Sequence, residues 1–250
     1  MNGRLIVFEG VEGSGKTTQL QRCHKWLTGE AQEWLVPKYA SLLNSEPFGG
    51  AQGPPNDRAQ GTPFAQVRIA APISVIVTRE PGGTELGLGV RKLLLGETER
   101  QPIQDKAELL LYAADRAQHV EEVLLPHLLL STSIILCDRY TDSTIAYQGF
   151  GRGMSIDMIE QINLLATGGL QSDLTILLDV DPSISLKRIL TNRKLDRIEE
   201  TDLAFHHRVR SGYLTLAKKY ADRITVVDAA QSADRVTMDI QEILQKFIQQ

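Results

Sequence analysis

The residues Gly10-Val11-Glu12-Gly13-Ser14-Gly15-Lys16-Thr17 have the spacing G-x-x-x-x-G-K-[ST]. Three glycines allow backbone dihedrals and a close approach that let successive N–H groups surround a phosphate, and the N-terminus of a following helix adds partial positive charge. At this spacing Lys16 would reach the terminal phosphates of a nucleoside triphosphate and Thr17 would hold a magnesium ion. A glycine turn that matches by chance is the competing reading. Order argues against it: an apolar run, Leu5 to Phe8, precedes the loop, and a segment able to form a helix, Thr18 to Leu27, follows it.

A second set of residues suits a charged acceptor. Arg79 lies in Thr78-Arg79-Glu80-Pro81-Gly82-Gly83-Thr84, Arg91 in the next helical segment, Arg116 four residues after Tyr112, and Arg139 in Asp138-Arg139-Tyr140. A further basic stretch holds Lys187, Arg188, Arg193, Lys194 and Arg197. Guanidinium forks bind phosphate oxygens bidentately and neutralise charge that keeps two polyanions apart. Two arginine sets therefore fit phosphoryl transfer to an acceptor that already carries phosphate. Any one arginine alone reads equally well as a surface ion pair worth about 0–1 kcal/mol, and Tyr112 alone reads as core packing. Asp138, at the end of an apolar run, is placed to bind the waters of a magnesium ion held by the loop. If Asp142 to Gln148 is helical, Ser143 with Tyr147 and Thr144 with Gln148 stand at i and i+4 and turn two polar pairs toward one site. The base-reading motif Asn-Lys-x-Asp of a signalling GTPase does not occur.

Strands able to position these groups are expected at Arg4 to Phe8, Ile73 to Val77, Ser133 to Cys137, Leu174 to Val180 and Ile224 to Val227, separated by segments of helical spacing. Their nearly continuous apolar character predicts buried parallel strands, with helices on both faces of the sheet. Motifs just past the strand ends then sit where open α/β sheets place ligands. Helices are expected over about 85–95 and 104–130, the second with Leu109, Leu110, Ala113, Ala114, Ala117, Val120 and Leu124 as its apolar stripe. Pro182 should start another helix, which ends in the basic stretch. The stripe Phe205, Val209, Leu216 and Tyr220, and that of Val236, Ile240, Ile243, Leu244 and Phe247 behind an N-cap at Ser232, read as core. Glu80-Pro81 is a candidate cis bond. Glycine and proline crowd the stretch from Gly29 to Pro72, which reads as a flexible surface insertion: a lid, a tolerated excursion or a partner-binding loop.

With 250 residues, 42% apolar and 23% charged, the chain suits a single α/β domain over 1–250. A net charge of −4 offers no general attraction to nucleic acid or anionic membrane. The two cysteines, Cys23 and Cys137, lack metal-ligand spacing and read as buried thiols in a reducing compartment. No signal-like N-terminus and no apolar run near the roughly 20 residues of a membrane span is present, so the chain is expected to be cytoplasmic.

Taken together, Phe8 to Thr18, Thr78 to Thr84, Tyr112 with Asp115-Arg116, Asp138-Arg139-Tyr140 through Ser143 to Tyr147-Gln148-Gly149, and Leu195-Asp196-Arg197-Ile198-Glu199 resemble the thymidylate kinases. The resemblance covers nearly all of the chain outside about 29–72. It implies a nucleoside monophosphate kinase fold around the phosphate loop, with ATP bound by Gly10, Val11, Glu12, Gly13, Ser14, Gly15, Lys16, Thr17 and Thr18. It also implies Mg²⁺ at Thr17 and Asp138, conversion of dTMP to dTDP that supplies dTTP for DNA synthesis, a cytoplasmic location and a homodimer. By the same resemblance Tyr112 stacks on thymine, Arg116 bonds its carbonyl, and Thr144 and Gln148 lie near the base. Tyr147 crowds the sugar where a ribose carries its 2′-hydroxyl, Glu12 approaches the 3′-hydroxyl, and Arg79, Arg91, Arg139 and Ser143 surround the acceptor phosphate and sugar. Lys16, Arg139 and a lid arginine are the implied catalytic residues. Glu12-Gly13 in the loop marks the type whose arginine comes from the lid, here about 188–197. Arg193 is the first choice, with Arg188 or Lys194 as alternatives, because Thr191-Asn192-Arg193-Lys194 departs from the common lid pattern. Competing classes are another small-molecule kinase of the same fold and a silent ATP-binding scaffold. Intact Lys16, Thr17 and Asp138 argue against silence, and the Tyr112 to Gln148 set against another acceptor.

Overall fold

The computed structural model describes residues 3–29, 74–96, 103–130, 133–191 and 196–249. Five strands, β1 (Arg4–Glu9), β2 (Ser74–Arg79), β3 (Ser133–Asp138), β4 (Leu174–Asp179) and β5 (Ile224–Asp228), form one sheet in the order β2-β3-β1-β4-β5. Every adjacent pair is parallel, and each strand lies within two residues of its expected place. Side chains alternate across a strand. Ile6 and Phe8 therefore join one core with Leu20, Leu136 and Ile176, while Leu5 and Val7 join a second with Val120, Leu124, Ile135 and Cys137. Both faces are dry, which is why the strands are apolar without interruption.

The helices are α1 (Lys16–Thr28), α2 (Glu85–Leu94), α3 (Asp105–His119), α4 (Leu125–Leu128), α5 (Thr141–Thr144), α6 (Ile156–Thr167), α7 (Pro182–Leu190), α8 (Leu203–Lys219) and α9 (Ala233–Ile248). Thr84, Asp202 and Ser232 cap α2, α8 and α9 by accepting from Gly87 N, Phe205 N and Arg235 N, so the expected cap at Ser232 is in place. The stripes of α8 and α9 are core, with Val209, Ile240 and Leu244 at 0% exposure. Glu80-Pro81 is cis, and both cysteines are free and buried. Among the described residues no helix is long and apolar enough to cross a membrane.

Two expectations need correction. The long helix is not α-helical throughout: α3 passes into a π-helical stretch, Val120–Leu124, before α4. The change falls just before Pro126, which has no N–H to continue the i to i−4 ladder. Nor is the buried face of α3 simply apolar. Leu110 is 59% exposed and Ala114 is also exposed, whereas Glu108, Asp115, Arg116 and His119 are buried beside Leu109. This face packs against the polar carboxyl edge of the sheet, so charge is buried where periodicity alone anticipates leucine and alanine. Most of the expected insertion, from residue 30 on, and residues 192–195 lie outside the described residues.

The segment after β3 is pinned from behind. Arg223, just before β5, donates to both oxygens of the buried Asp142 at 2.7 and 2.8 Å. Arg223→Ala would leave that carboxylate buried without its counter-charge, and we expect unfolding free energy to fall by about 3 kcal/mol in urea titrations. A loss below about 1 kcal/mol would show that the pair does not anchor the segment.

Candidate active site

The register brings Arg79 opposite Asp138 and Phe8 opposite Asp138, so the carboxyl ends of β2, β3 and β1 lie side by side. The phosphate loop rises from β1. Gly10 has φ 142° and Gly13 φ 70°, and a Cβ on them would stand 2.5 Å from Leu178 O and 2.4 Å from Ser185 O. Only glycine permits that backbone with β4 and α7 so close. Lys16 Nζ turns back to donate to Gly10 O at 3.0 Å and Val11 O at 2.9 Å. Burial, assisted by the nearby Arg139 charge, lowers its pKa to about 8.

Thr17 Oγ1 donates to Asp138 Oδ2 at 3.2 Å. Asp138 Oδ1 is buried and, among the described residues, has no hydrogen-bond partner. A buried carboxylate oxygen without a donor, beside the loop threonine, is a donor set that fits a hard divalent cation or its water shell.

Arg139 has φ 71°, a left-handed backbone that few non-glycine residues adopt. The turn aims its guanidinium across the loop. Nη2 donates to Glu12 Oε1 at 3.0 Å and to Tyr147 OH at 3.3 Å, and Nη1 to Ser143 Oγ and Tyr213 OH, each at 3.0 Å. Tyr147 OH donates in turn to Glu12 Oε2. Burial opposes ionisation of Glu12, but Arg139, Lys16 and the Tyr147 hydroxyl outweigh it and hold the carboxyl below its usual range. Behind Arg139, Glu9 accepts from Tyr140 N at 2.8 Å, Ser143 N at 3.1 Å, Ser143 Oγ at 2.6 Å and Tyr213 OH at 2.9 Å. Burial drives Glu9 up to about 7 despite the Arg139 charge.

On the other side stands Arg116, only 2% exposed. Its Nε donates to Glu80 Oε2 at 2.8 Å, Nη1 to Thr144 Oγ1 at 2.9 Å and Asn163 Oδ1 at 2.7 Å, and Nη2 to Tyr140 O at 3.0 Å. Among the described residues four of its five N–H groups are thus engaged, and one on Nη2 is not. Glu80 also meets His119 Nδ1 at 2.9 Å, while His119 Nε2 meets Thr78 Oγ1 at 2.7 Å. Asp115 Oδ1 accepts from Gly82 N at 3.0 Å, and burial pushes this carboxyl up to about 6.

One cavity joins the two sides. Glu12, Lys16, Thr17, Arg79, Arg91, Tyr112, Arg116, Asp138, Arg139, Ser143, Thr144, Tyr147 and Gln148 all line it, with Gly13, Glu80, Asp196, Ile198 and Glu199. Both i, i+4 pairs reach it, although the helix carrying them turns π-helical over Ile145–Gly151. Of the sequence-predicted residues, Gly10, Val11, Ser14, Gly15 and Thr18 do not line the cavity, and Val11 and Ser14 are buried at 3% exposure. Arg193 and Lys194 lie outside the described residues. Arg188 donates to Ala229 O at 3.0 Å, beyond β5. Glu9, Glu80, Glu108, Asp115, Arg152 and Tyr213 escaped sequence reasoning as functional residues. The one legible signal was an acid ending the apolar β1 strand, Glu9.

The thymidylate kinase family model matches residues 63–240. A thymidylate kinase of Nostoc punctiforme is 48% identical over 245 residues, covering 98% of this chain and 96% of that protein. One from a Cyanothece strain is 46% identical over 255 residues, covering 100% and 97%. The crystal structure of thymidylate kinase from Ehrlichia chaffeensis superposes with a TM-score of 0.66 at 28% identity, covering 98% of this chain and 100% of that one.

The depressed pKa of Lys16 has a sign. Its ammonium form dominates below about 8 and is lost as pH rises through that value. If Lys16 makes the triphosphate contact expected of it, the ammonium is the form required, so in calorimetric titrations ATP affinity should stay level from pH 6.5 to 7.5 and weaken several-fold between pH 8 and 9. Lys16→Arg, which stays charged, should remove the slope; a slope retained in that variant refutes the assignment.

Proposed function

The chain belongs to the thymidylate kinase family, which makes it an ATP-dependent dTMP kinase, and we propose that Lys16, Arg139 and Arg193 carry the transfer. The observation that supports this division is the single cavity in which the phosphate loop, Arg139 and the Tyr112 to Gln148 set meet. ATP lies along Gly10 to Thr18, its terminal phosphates against the loop N–H groups and Lys16. Thr17 and Asp138 would hold a magnesium ion, which would supply charge neutralisation between the outer phosphates.

The acceptor lies across the loop. Tyr112 stacks on thymine, and Arg116 offers its one remaining N–H to a ring carbonyl. Glu12, kept ionised, accepts from the 3′-hydroxyl, and the Tyr147 ring fills the space a 2′-hydroxyl would take. Arg79, Arg91 and Arg139 surround the acceptor phosphate with Ser143. That phosphate is already largely ionised at pH 7, so no general base is required. Its oxygen attacks the γ-phosphorus in line as the bond from that phosphorus to the β,γ-bridging oxygen breaks and ADP leaves, while Lys16, Arg139 and Arg193 stabilise the spread negative charge. Arg193 is assigned from sequence alone. The engagement of Arg188 with Ala229 favours Arg193 over Arg188.

A coupled ADP-release assay offering dTMP, dUMP, UMP, dCMP and thymidine in turn tests the acceptor: dTMP should give the highest kcat/KM, and equal rates on dCMP or thymidine would refute the assignment. Arg193→Ala should lower kcat by about ten- to a hundredfold with dTMP affinity nearly intact. An unchanged rate moves the role to Lys194.

We further propose that the enzyme works as a cytoplasmic homodimer. Leu110 on α3 and Leu164 and Leu165 on α6 are 59%, 62% and 86% exposed. Apolar surface of this kind on neighbouring helices suits a self-complementary interface. Light scattering should return about twice the 27.7 kDa chain mass, and Leu165→Glu should halve it; a monomeric wild type refutes the proposal.

A further inference from the structure

Glu108, one turn before Tyr112 on α3, is 0% exposed and has no assigned part in binding or transfer. Its carboxylate ties α3 to two distant segments. Oε1 accepts from Gln148 Nε2 at 2.9 Å and Arg152 Nε at 2.7 Å; Oε2 accepts from Arg152 Nη2 at 2.9 Å and from Arg197 Nη2. Arg197 is itself fixed through Nε to Leu94 O at 2.8 Å, and it belongs to a turn closed by Asp196, which accepts from Ile198 N and Glu199 N. Arg152 lies over the Phe205 ring. Burial would favour the protonated acid, but the hydrogen bonds from Arg152, Arg197 and Gln148 outweigh it and hold Glu108 below the usual carboxylate range. At neutral pH Glu108 therefore accepts and cannot donate.

That has a consequence for Gln148, which is 2% exposed and lines the cavity. A free glutamine can turn either its oxygen or its NH₂ toward a ligand, and the two ends have nearly the same shape. Against a carboxylate only the NH₂ end is tolerated, so Gln148 must hold Oε1 on the other side of the amide. We propose that Glu108 is a specificity-positioning residue: by locking the Gln148 amide, it fixes a hydrogen-bond acceptor against the base, selecting a pyrimidine with N–H at ring position 3 over one with a bare nitrogen there. Thymine carries that N–H and cytosine does not. Facing cytosine, the Gln148 oxygen would meet a lone pair, and a buried acceptor left unpaired rejects the ligand more strongly than a lost contact does. The proposal rests on dTMP being the acceptor and adds a reason for the choice of base.

The test is a comparison of dTMP and dCMP dissociation constants by calorimetry in wild type, Glu108→Gln, Gln148→Leu and the double variant. Glu108→Gln keeps the shape but lets the Gln148 amide turn over. It should lower the preference for dTMP at least tenfold, largely by improving dCMP binding. Gln148→Leu should lower the preference by a similar factor, and the double variant should fall no further than Gln148→Leu. A purely structural role would weaken both nucleotides alike; a dTMP-to-dCMP ratio within twofold of wild type in Glu108→Gln, or two single effects that multiply in the double variant, overturns the proposal. Should Glu108→Gln not fold, Glu108→Asp, which keeps the charge and shortens the reach, replaces it under the same threshold. Wild type lacking any preference for dTMP over dCMP would instead refute the acceptor assignment.

Discussion

A guanidinium stays protonated at any physiological pH, so burying Arg116 obliges the fold to surround it with acceptors. It does so from four places at once: Glu80 after β2, Tyr140 O after β3, Thr144 on α5 and Asn163 on α6. None of these can move without leaving buried charge unmatched, at a penalty of about 3–5 kcal/mol for a broken pair. Replacing the whole cluster by apolar side chains need not lower stability. What the cluster supplies is relative position, because it sets the turn holding Arg79 and the helix holding Thr144 and Gln148 at one distance from α3. The proposed base-reading side of the cavity is thus built around a side chain whose partners come from four separate segments.

Arg139 carries the corresponding constraint on the phosphate side. Its left-handed backbone costs about 1–3 kcal/mol and persists only because its surroundings over-determine it. Its N–H is bonded to Phe8 O at 3.0 Å, and its guanidinium meets Glu12, Ser143, Tyr147 and Tyr213. Glu9 then holds Ser143 and Tyr213 from behind. Donors fixed this way need no reorganisation when charge develops on a transferring phosphoryl group. The two arginines are also joined through one short helix, since Ser143 answers to Arg139 and Thr144 to Arg116.

The sheet was legible because buried parallel strands are apolar along their whole length, and the loop because its glycine spacing follows from backbone geometry. The i, i+4 pairs after Asp138 were legible in spirit: their helix is π-wound, yet both pairs face the cavity. The buried face of α3 was not legible. In sequence an acid or a histidine between leucines looks like the wet side of an amphipathic helix, and nothing local says that Glu108 will be met by Arg152 and Arg197 from far along the chain. Leu110 misled for the opposite reason, since an apolar residue at helical spacing reads as core wherever it points. The carboxylates that position the site share this property: their partners are 33 to 204 residues away, as with Asp115 and Gly82 or Glu9 and Tyr213.

The contrast between Lys16 and Arg139 shows where the site is rigid and where it must give. Arg139 is tied to charged and hydroxyl acceptors through a planar fork. Lys16 is held by two neutral carbonyls of its own loop, and a phosphate oxygen would add to the ammonium a charge–charge attraction that a carbonyl dipole lacks. Exchange of those carbonyls for phosphate is therefore downhill for Lys16 and requires only rotation about its side-chain bonds. Arg139 has no comparable incentive to leave Glu12, whose charge it needs while both are buried. On the proposed assignment the acceptor sugar and phosphate come to Arg139 and Glu12 where they stand, and the terminal phosphates of the donor draw Lys16 to themselves. A fixed acceptor side facing an adaptable donor side is the arrangement expected of a kinase whose specificity lies in the acceptor.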